Sequence, residues 1–223
     1  MSLNISEQTE KVVYLLRHGQ SEDNASPVFQ GPDSPLSEHG RQQAQFIAER
    51  VRSIEFDALI SSPFHRARQT ADAIAAATDK TVELSDLFVE RIKPSSINGQ
   101  PYSNAAASDV WQQWEASFYE SGNRIEDGEN FDSITKRARA ALDYLYNRPE
   151  RTFVVTSHGY FIRSIIATVL LADELTPSAA RILHRSMFGM ENTGMTVLLY
   201  EPAFQQEARW RLWSYNDHAH LAE

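Results

Sequence analysis

Two apolar segments of this sequence each end in a histidine that is followed by a glycine. The segment KVVYLL leads into Arg17, His18 and Gly19, and the segment TFVVTS leads into His158 and Gly159. Both segments have the composition of strands that are buried on both faces. Because ligands bind at the carboxyl ends of strands in open α/β sheets, both imidazoles face one rim if the strands are neighbours. The pattern therefore predicts one site built from two distant segments.

Arg17 and Arg66 bring positive charge to the same rim. Arg66 falls in the first turn of a predicted helix, where the helix macrodipole is already positive. A cation at this position costs stability unless an anion occupies the site. Together with the imidazoles and the short amide of Asn24, the two guanidiniums form a pocket suited to a dianionic phosphoryl group. Taken singly, each residue has a commoner explanation, such as a hydrogen-bonded structural histidine or a surface arginine paired with an acid.

The chemistry of such a pocket needs a nucleophile and a proton donor. The chain has no cysteine, so the nucleophile among these residues is a histidine, whose neutral imidazole can form a phosphohistidine. The departing alkoxide then needs a proton, and the incoming water needs a base. Glu90, in LFVERIK, is the best-placed carboxylate. A surface ion pair of Glu90 with Arg91 or Lys93 is the alternative, and the spacing does not choose between them.

The first third of the chain alternates predicted strands and helices. KVVYLL is followed by an amphipathic helix capped by Ser37, and then by a short strand in FDALISS. Ser62 as N-cap and Pro63 at the first helical position predict the start of a second helix. A third strand is predicted at 81–84. This alternation favours a parallel sheet with helices on both faces.

The second half resumes the same pattern after an irregular stretch. Between about residues 92 and 130 the only helical candidate is SDVWQQWEASFY, and such an insertion is typical of a lid or substrate-specificity region over an active site. FDSITKRARAALDYLY predicts a helix, TFVVTS a buried strand, YFIRSIIATVLLA a buried helix, and MTVLLY and WRLWSY two strands, the last at an edge. We expect a single-domain α/β three-layer sandwich over 1–223, with its core at about 11–216.

Composition excludes several classes of protein. A formal net charge of -9 argues against a nucleic-acid-binding surface, which needs clustered Lys and Arg. The N-terminal sequence MSLNISEQTEK lacks the apolar region of a signal peptide, and the apolar stretch 160–172 contains Arg163 and is too short to span a bilayer. We expect a soluble, cytoplasmic protein that contacts neither nucleic acid nor membrane.

The motifs, taken in order, resemble one family. LLRHGQSEDN, SSPFHRARQTA, LFVER, VVTSHGYFIRSII and ENTGMTVLLY are similar to segments of the histidine phosphatase superfamily, and the likeness runs over nearly the whole chain. The resemblance implies a phosphoglycerate mutase-like fold and no metal or organic cofactor. It also implies the following roles: His18 as the phosphorylated nucleophile, Arg17, Arg66 and Asn24 as phosphoryl-binding residues, His158 and the backbone N–H of Gly159 as further pocket groups, and Glu90 as proton donor.

Departures from the family pattern bear on the reaction. The segment after Glu90 lacks the Gly-x-x-x-Gly of many members, and no Lys or Arg occurs from Ile97 to Asn123, where mutases carry further cations for a substrate carboxylate. We therefore expect a phosphoric monoester hydrolase of the histidine acid phosphatase type. Its substrate would be a small phosphorylated metabolite with an uncharged or apolar leaving group, and a homodimer is possible from the sequence.

Two alternatives remain open from the sequence. The first is a cofactor-dependent phosphoglycerate mutase, and the second is a catalytically silent module that binds a phosphorylated ligand. A zinc-dependent hydrolase is disfavoured because His18 and His158 lack a third ligand in a recognisable pattern. His218 and His220 have a spacing that could hold a metal, yet a solvated terminal tail is the simpler expectation.

Overall fold

The computed structural model describes residues 11–187, 189–204 and 207–221. The N-terminal segment considered above for a signal sequence, residues 1–10, lies outside the described residues, as do the last two residues of the predicted domain. Within the described part, six strands form one sheet in the order β3-β2-β4-β1-β5-β6. The strands are β1 (Lys11–Arg17), β2 (Ala58–Ser61), β3 (Val82–Leu84), β4 (Thr152–Ser157), β5 (Met195–Phe204) and β6 (Glu207–Asp217).

Six α-helices connect or follow these strands in the described residues. They cover the predicted helical segments, and an additional helix, α6, follows α5. The sequence carries a local signal for that helix, because Thr176 accepts a hydrogen bond from the backbone N–H of Ala179 and Pro177 occupies the first helical position. The helices are α1 (Glu38–Val51), α2 (His65–Thr78), α3 (Ala105–Ser117), α4 (Phe131–Tyr146), α5 (Gly159–Leu171) and α6 (Pro177–Ser186).

The strands that carry the two His-Gly pairs are direct neighbours. β1 and β4 pair in parallel with Arg17 opposite Ser157, and the backbone N–H of His18 donates to the carbonyl of Ser157 at 3.0 Å. β2 and β3 continue the parallel part, whereas β5 and β6 run antiparallel at the other side. The shared rim expected from the sequence is therefore confirmed, and β6 is the predicted edge strand.

Helices cover both faces of the sheet. Val13 and Val155 belong to a core cluster with residues of α4 and α5, whereas Leu16 and Val154 pack with residues of α1 and α2 on the opposite face. Successive strand residues point to opposite faces, so each buried strand supplies both clusters. The predicted α/β three-layer sandwich is confirmed.

The start of α2 differs from the sequence prediction. The helix begins at His65 with Phe64 as its N-cap, so Ser62 is not the N-cap and Pro63 is not the first helical residue. The Ser62 hydroxyl accepts from the backbone N–H of Phe64 at 3.2 Å and lies 2.8 Å from Nε2 of His158. Ser62 thus holds a side chain of the site instead of a helix end. The cap predicted at Ser37 is confirmed.

The segment 92–130 contains α3 and a small core of its own. Asn104 caps α3 by accepting from two backbone N–H groups, and Phe29, Ile97 and Ala107 form a separate buried cluster with Trp111 packed against it. The segment is thereby joined to the loop that follows β1. Among the described residues, none of the helices combines the length and the apolar character needed to cross a membrane.

Candidate active site

The backbone at Gly19, just after β1, lies very close to the backbone at Gly40. A side chain at Gly19 would place its Cβ 2.5 Å from the carbonyl oxygen of Gly40, in the first turn of α1. The backbone N–H of Gly19 also donates to the Thr70 hydroxyl of α2 at 3.1 Å. The glycine after His18 is therefore required by space, and it fixes the loop that carries this histidine against two helices.

His18 is buried and electrically neutral at physiological pH. It is 2% exposed, and burial together with Arg66 and Arg17 holds the pKa of its imidazole well below the usual range. Nδ1 lies 2.6 Å from the carbonyl oxygen of Gly19, an acceptor that requires the proton to be on Nδ1. Nε2 therefore carries the lone pair, and Nε–H of Arg66 donates to it at 3.1 Å.

His158 lies directly beside His18. The centroids of the two rings are 5.1 Å apart, and burial followed by Arg66 holds the pKa of His158 well below its ordinary value. Nε2 contacts the Ser62 hydroxyl, and Nδ1 is buried with no hydrogen-bond partner among the described residues. A buried imidazole nitrogen without a partner is costly, and a bound ligand oxygen would satisfy it.

The two arginines are cations that lack carboxylate partners. Arg66 is 2% exposed, and its Nη1 donates to the carbonyl of Gly31 at 2.9 Å. Nη1 of Arg17 donates to the carbonyl of Met190. Within the described ranges, no carboxylate oxygen comes within 4.0 Å of either guanidinium. Burial lowers the pKa of both arginines, that of Arg66 to about 10. The site is thus built to receive an anion.

The carboxylate of Glu90 lies at the same rim of the sheet as His18 and His158. One carboxylate oxygen accepts from the backbone N–H of Phe161 at 2.9 Å, and the other from that of Tyr160 at 3.3 Å. These N–H groups belong to the first turn of α5, where His158 provides no side-chain cap. Glu90 therefore caps α5 beside the two histidines.

The loop that carries Glu90 is fixed by two further arginines. Arg137 of α4 donates to the carbonyl of Glu90 at 3.2 Å and forms an ion pair with Glu129 at 2.6 Å. Arg91 lies with its guanidinium 3.8 Å from the ring centroid of Trp114 and donates to that residue's carbonyl. The surface pairing of Glu90 with Arg91 that the sequence left open is not found, and Arg91 attaches α3 to the loop instead.

Gly159 lies in the pocket region and Asn24 does not. A Cβ at Gly159 would lie 3.4 Å from Cδ of Arg17, so the first turn of α5 packs directly on this arginine. Asn24 is exposed, and its side-chain oxygen accepts from the backbone N–H of Ser21 at 3.4 Å. No contact in the described part of the chain links Asn24 to the two histidines. The structure therefore brings together all of the predicted site residues except Asn24.

A cavity of about 460 Å³ opens beside these groups. Its lining includes Arg66, Glu90 and three residues of the 92–130 segment, Ile92, Lys93 and Asn98. A volume of this size matches sites for small molecules. Sequence reasoning missed Lys93 as a pocket residue and considered it only as an ion-pair partner of Glu90.

The histidines near the C-terminus are not simply a solvated tail. His220 is half-buried, with Nδ1 3.2 Å from Nη1 of Arg50 and Nε2 3.0 Å from the Thr193 hydroxyl. His218 is exposed, as expected. No group of three or more His, Cys, Asp or Glu side chains suited to a metal ion occurs among the described residues.

Comparisons with known proteins agree with this architecture. The profile of the histidine phosphatase superfamily (branch 1) matches residues 13–214. A probable phosphoglycerate mutase GpmB from Yersinia enterocolitica is 31% identical over 213 residues, which cover 94% of each chain.

Solved structures show the same fold. A phosphoserine phosphatase mutant from Entamoeba histolytica, in complex with phosphoserine, has a TM-score of 0.73 at 29% identity and covers 95% of this chain and 100% of that one. A mycobacterial glucosyl-3-phosphoglycerate phosphatase in complex with VO3 has a TM-score of 0.73 at 25% identity, covering 92% and 99% of the two chains.

Proposed function

The chain belongs to the histidine phosphatase superfamily, and we propose that it is a phosphatase that hydrolyses small phosphate monoesters through a covalent phosphohistidine on His18. The observation that carries this proposal is the pair of guanidiniums of the half-buried Arg17 and the buried Arg66, which lack carboxylate partners in the described residues and flank a neutral imidazole. A dianionic phosphoryl group offsets both charges and supplies acceptors for their forked N–H groups.

In the first half-reaction, Nε2 of His18 attacks phosphorus in line with the ester oxygen. The new P–N bond forms as the P–O bond to the leaving group breaks, and the leaving oxygen takes a proton from the carboxyl group of Glu90. Arg17 and Arg66 stabilise the charge on the equatorial oxygens. The proton of His18 stays on Nδ1, which donates it in a hydrogen bond to the carbonyl of Gly19, and this favours attack through Nε2.

In the second half-reaction, water replaces the leaving group. Glu90, now a carboxylate, takes a proton from the water as its oxygen bonds to phosphorus and the P–N bond breaks. Nε2 regains its lone pair and inorganic phosphate leaves. Nδ1 of His158, which lacks a partner in the described residues, suits a hydrogen bond to a phosphoryl oxygen during both steps. No metal or organic cofactor takes part in either step.

Mutase activity is the second candidate, favoured by the name of the 31% identical relative. In that reaction a second hydroxyl group, rather than water, accepts the phosphoryl group. The absence of Lys and Arg from Ile97 to Asn123 supports hydrolysis.

Hydrolysis of an aryl phosphate and trapping of the phosphoenzyme by an alkaline quench test this proposal. We expect a base-stable, acid-labile phosphohistidine in the wild type and neither trapping nor hydrolysis in His18→Ala. His65→Ala is the matched control, because His65 is exposed at the start of α2 and its Nδ1 lies 3.4 Å from the carbonyl oxygen of Asp33 in the preceding loop. Full activity of His18→Ala would refute the mechanism.

Two further measurements separate the alternatives. Phosphoryl transfer between the hydroxyls of phosphoglycerate that depends on the bisphosphate would identify a mutase. EDTA should leave the hydrolysis rate unchanged, and a requirement for added metal would instead support a metal-dependent hydrolase.

A further inference from the structure

Arg137 of α4 lines the pocket beside Glu90 but has no N–H group left for a ligand. Nε and Nη2 donate to the two carboxylate oxygens of Glu129 at 2.8 and 2.6 Å. Nη1 donates to the carbonyls of Leu87 and Val89 at 3.1 and 2.8 Å, and Nη2 also donates to that of Glu90 at 3.2 Å. These bonds engage every N–H group that an arginine side chain has. Arg137 therefore binds the protein and not the substrate.

Glu129 binds the other end of the same loop. Its Oε2 accepts from the backbone N–H of Ile92 at 2.9 Å, and its own backbone N–H donates to the Ile92 carbonyl at 2.6 Å. The side chains of Arg137 and Glu129 are only 13% and 11% exposed, and a forked arginine–carboxylate pair fixes orientation as well as distance. The pair thus attaches the backbone on both sides of Glu90 to α4.

Arg137 also supports the groups that bind the Glu90 carboxylate. Its guanidinium lies 4.0 Å from the centroid of the Phe161 ring, which is a cation–π contact. The backbone N–H of Phe161 donates to Oε1 of Glu90 at 2.9 Å. The main chain of Glu90 and the helix turn that binds its carboxylate are therefore both anchored to one guanidinium.

We propose that Arg137, paired with Glu129, positions Glu90 for proton transfer in both half-reactions. The proposal rests on the proposed phosphatase function and deepens it by assigning to the proton-transfer step a positioning residue that does not bind the phosphoryl group. The carboxyl group of Glu90 must lie within hydrogen-bond reach of the leaving oxygen, and later of the water. Small errors in such a position slow a reaction strongly. Loss of Arg137 should therefore impair proton transfer, while the phosphoryl-binding residues keep their places.

Two aryl phosphates separate proton transfer from the rest of the reaction. Phenolate is a basic leaving group that needs a proton as the P–O bond breaks, whereas 2,4-dinitrophenolate leaves without one. The value of kcat/KM reports the first half-reaction, because release of the phenol is irreversible when no phenol is added. The ratio of kcat/KM for the two substrates does not depend on the fraction of folded enzyme, so a loss of stability alone leaves it unchanged.

Arg137→Lys is the main variant. Lysine keeps a positive charge for Glu129, but its single ammonium cannot replace the forked contacts with the carboxylate and three carbonyls. We expect kcat/KM to fall about 10-fold to 100-fold for phenyl phosphate and to stay within about threefold for 2,4-dinitrophenyl phosphate, since general acid catalysis assists only the first.

A second variant and a control accompany it. Arg137→Met combined with Glu129→Gln removes both charges and should give the same pattern, which keeps the test valid if Arg137→Lys does not fold. Arg139→Lys is the matched control, because Arg139 is an exposed arginine of the same helix and does not line the cavity. It should hydrolyse both aryl phosphates at wild-type rates.

A double-mutant cycle tests whether Arg137 acts through Glu90. Glu90→Gln removes the proton donor, so a residue that only positions this carboxyl group has no further effect in its absence. Glu90→Gln combined with Arg137→Lys should therefore hydrolyse phenyl phosphate as fast as Glu90→Gln alone.

Two results would overturn the proposal. One is a ratio of kcat/KM for the two aryl phosphates that stays at the wild-type value in both Arg137 variants, as a purely structural role would give. The other is a double variant in which the two losses multiply, which would show that Arg137 acts independently of Glu90. Failure of the proposed function looks different, because the wild type would then neither hydrolyse the aryl phosphates nor form a phosphohistidine.

Discussion

Nε–H of Arg66 donates a hydrogen bond to Nε2 of His18 across 3.1 Å, so one atom of the imidazole is both the proposed nucleophile and the acceptor for a phosphate-binding cation. A phosphoryl group that enters between them accepts the hydrogen bond from Nε–H of Arg66 in place of Nε2, and the lone pair of Nε2 is then free. Arg66 thus keeps Nε2 unprotonated before substrate binds, because a protonated Nε2 could not accept this bond.

The free enzyme should therefore contain a neutral His18 over a wide pH range. Burial, Arg66 and Arg17 all lower the pKa of this group, so protonation begins only well below the usual pH of about 6.5 for histidine. We expect the ¹⁵N shifts of the His18 ring to show the Nδ1-protonated tautomer, with no titration between pH 8 and 6. A midpoint near 6.5 would contradict this arrangement.

Anions should stabilise the protein through Arg17 and Arg66. A ligand at 100 times its Kd adds about 2.7 kcal/mol to the free energy of unfolding, and in a chain of this size each kcal/mol shifts Tm by about 2–4 °C. Thermal denaturation with saturating orthovanadate should therefore raise Tm by about 5–10 °C. Arg66→Met should abolish this increase, whereas Arg68→Met, which alters an exposed arginine of the same helix, should retain it. An equal vanadate effect in both variants would argue against the site.

Ser62 should be needed to orient His158. Ser62→Ala leaves both nitrogens of the buried imidazole without a partner, and an unsatisfied buried group costs about 1–3 kcal/mol. We expect kcat/KM for an aryl phosphate to fall about 10-fold to 100-fold while the protein stays folded. Ser61→Ala is the control, because the neighbouring hydroxyl contacts Thr156 and not the histidine. A loss of equal size in both variants would show that packing, not orientation, is responsible.

His184 should make stability depend on acid pH. It stacks on Phe118 with centroids 4.9 Å apart, and burial followed by Arg163 lowers its pKa to about 4. Because the unfolded histidine takes up a proton from about pH 6.5 downward, the contribution of His184 is complete above that pH and is lost as pH falls towards 4. Urea denaturation should show that His184→Phe loses less stability on acidification than the wild type, by about 1.4 kcal/mol per pH unit. Parallel pH profiles would contradict this.

Sequence alone predicts the site residues that lie at the ends of strands. Arg17, His18 and His158 follow directly from two buried strands, because the topology of an α/β sheet brings such ends together. Ser62 could not be assigned in this way. Its hydroxyl can cap its own helix or bind a distant histidine, and the local spacing is the same in both cases.

Partners that are distant in sequence explain what the sequence could not predict. Lys93 donates to the backbone of Gln30, 63 positions away, and no local pattern shows where that carbonyl lies. The guanidinium of Arg91 packs on Trp114 of α3, a contact that depends on how the 92–130 segment folds back. The phosphoryl-binding role of Asn24 rests on its motif position and stays a prediction, and in the structure its side-chain oxygen accepts from the backbone N–H of Ser21.

The position of β4 between β1 and β2 has a consequence for the order of events during folding. β1 and β2 precede β4 in the chain, yet neither pairs with the other in the sheet. A nascent chain that ends before residue 152 therefore lacks the strand that joins its two earlier strands, and pairings of such long range form slowly. The proposed nucleophile can meet His158 only after β4 has inserted, so the recovery of the proposed phosphatase activity on refolding would time that insertion.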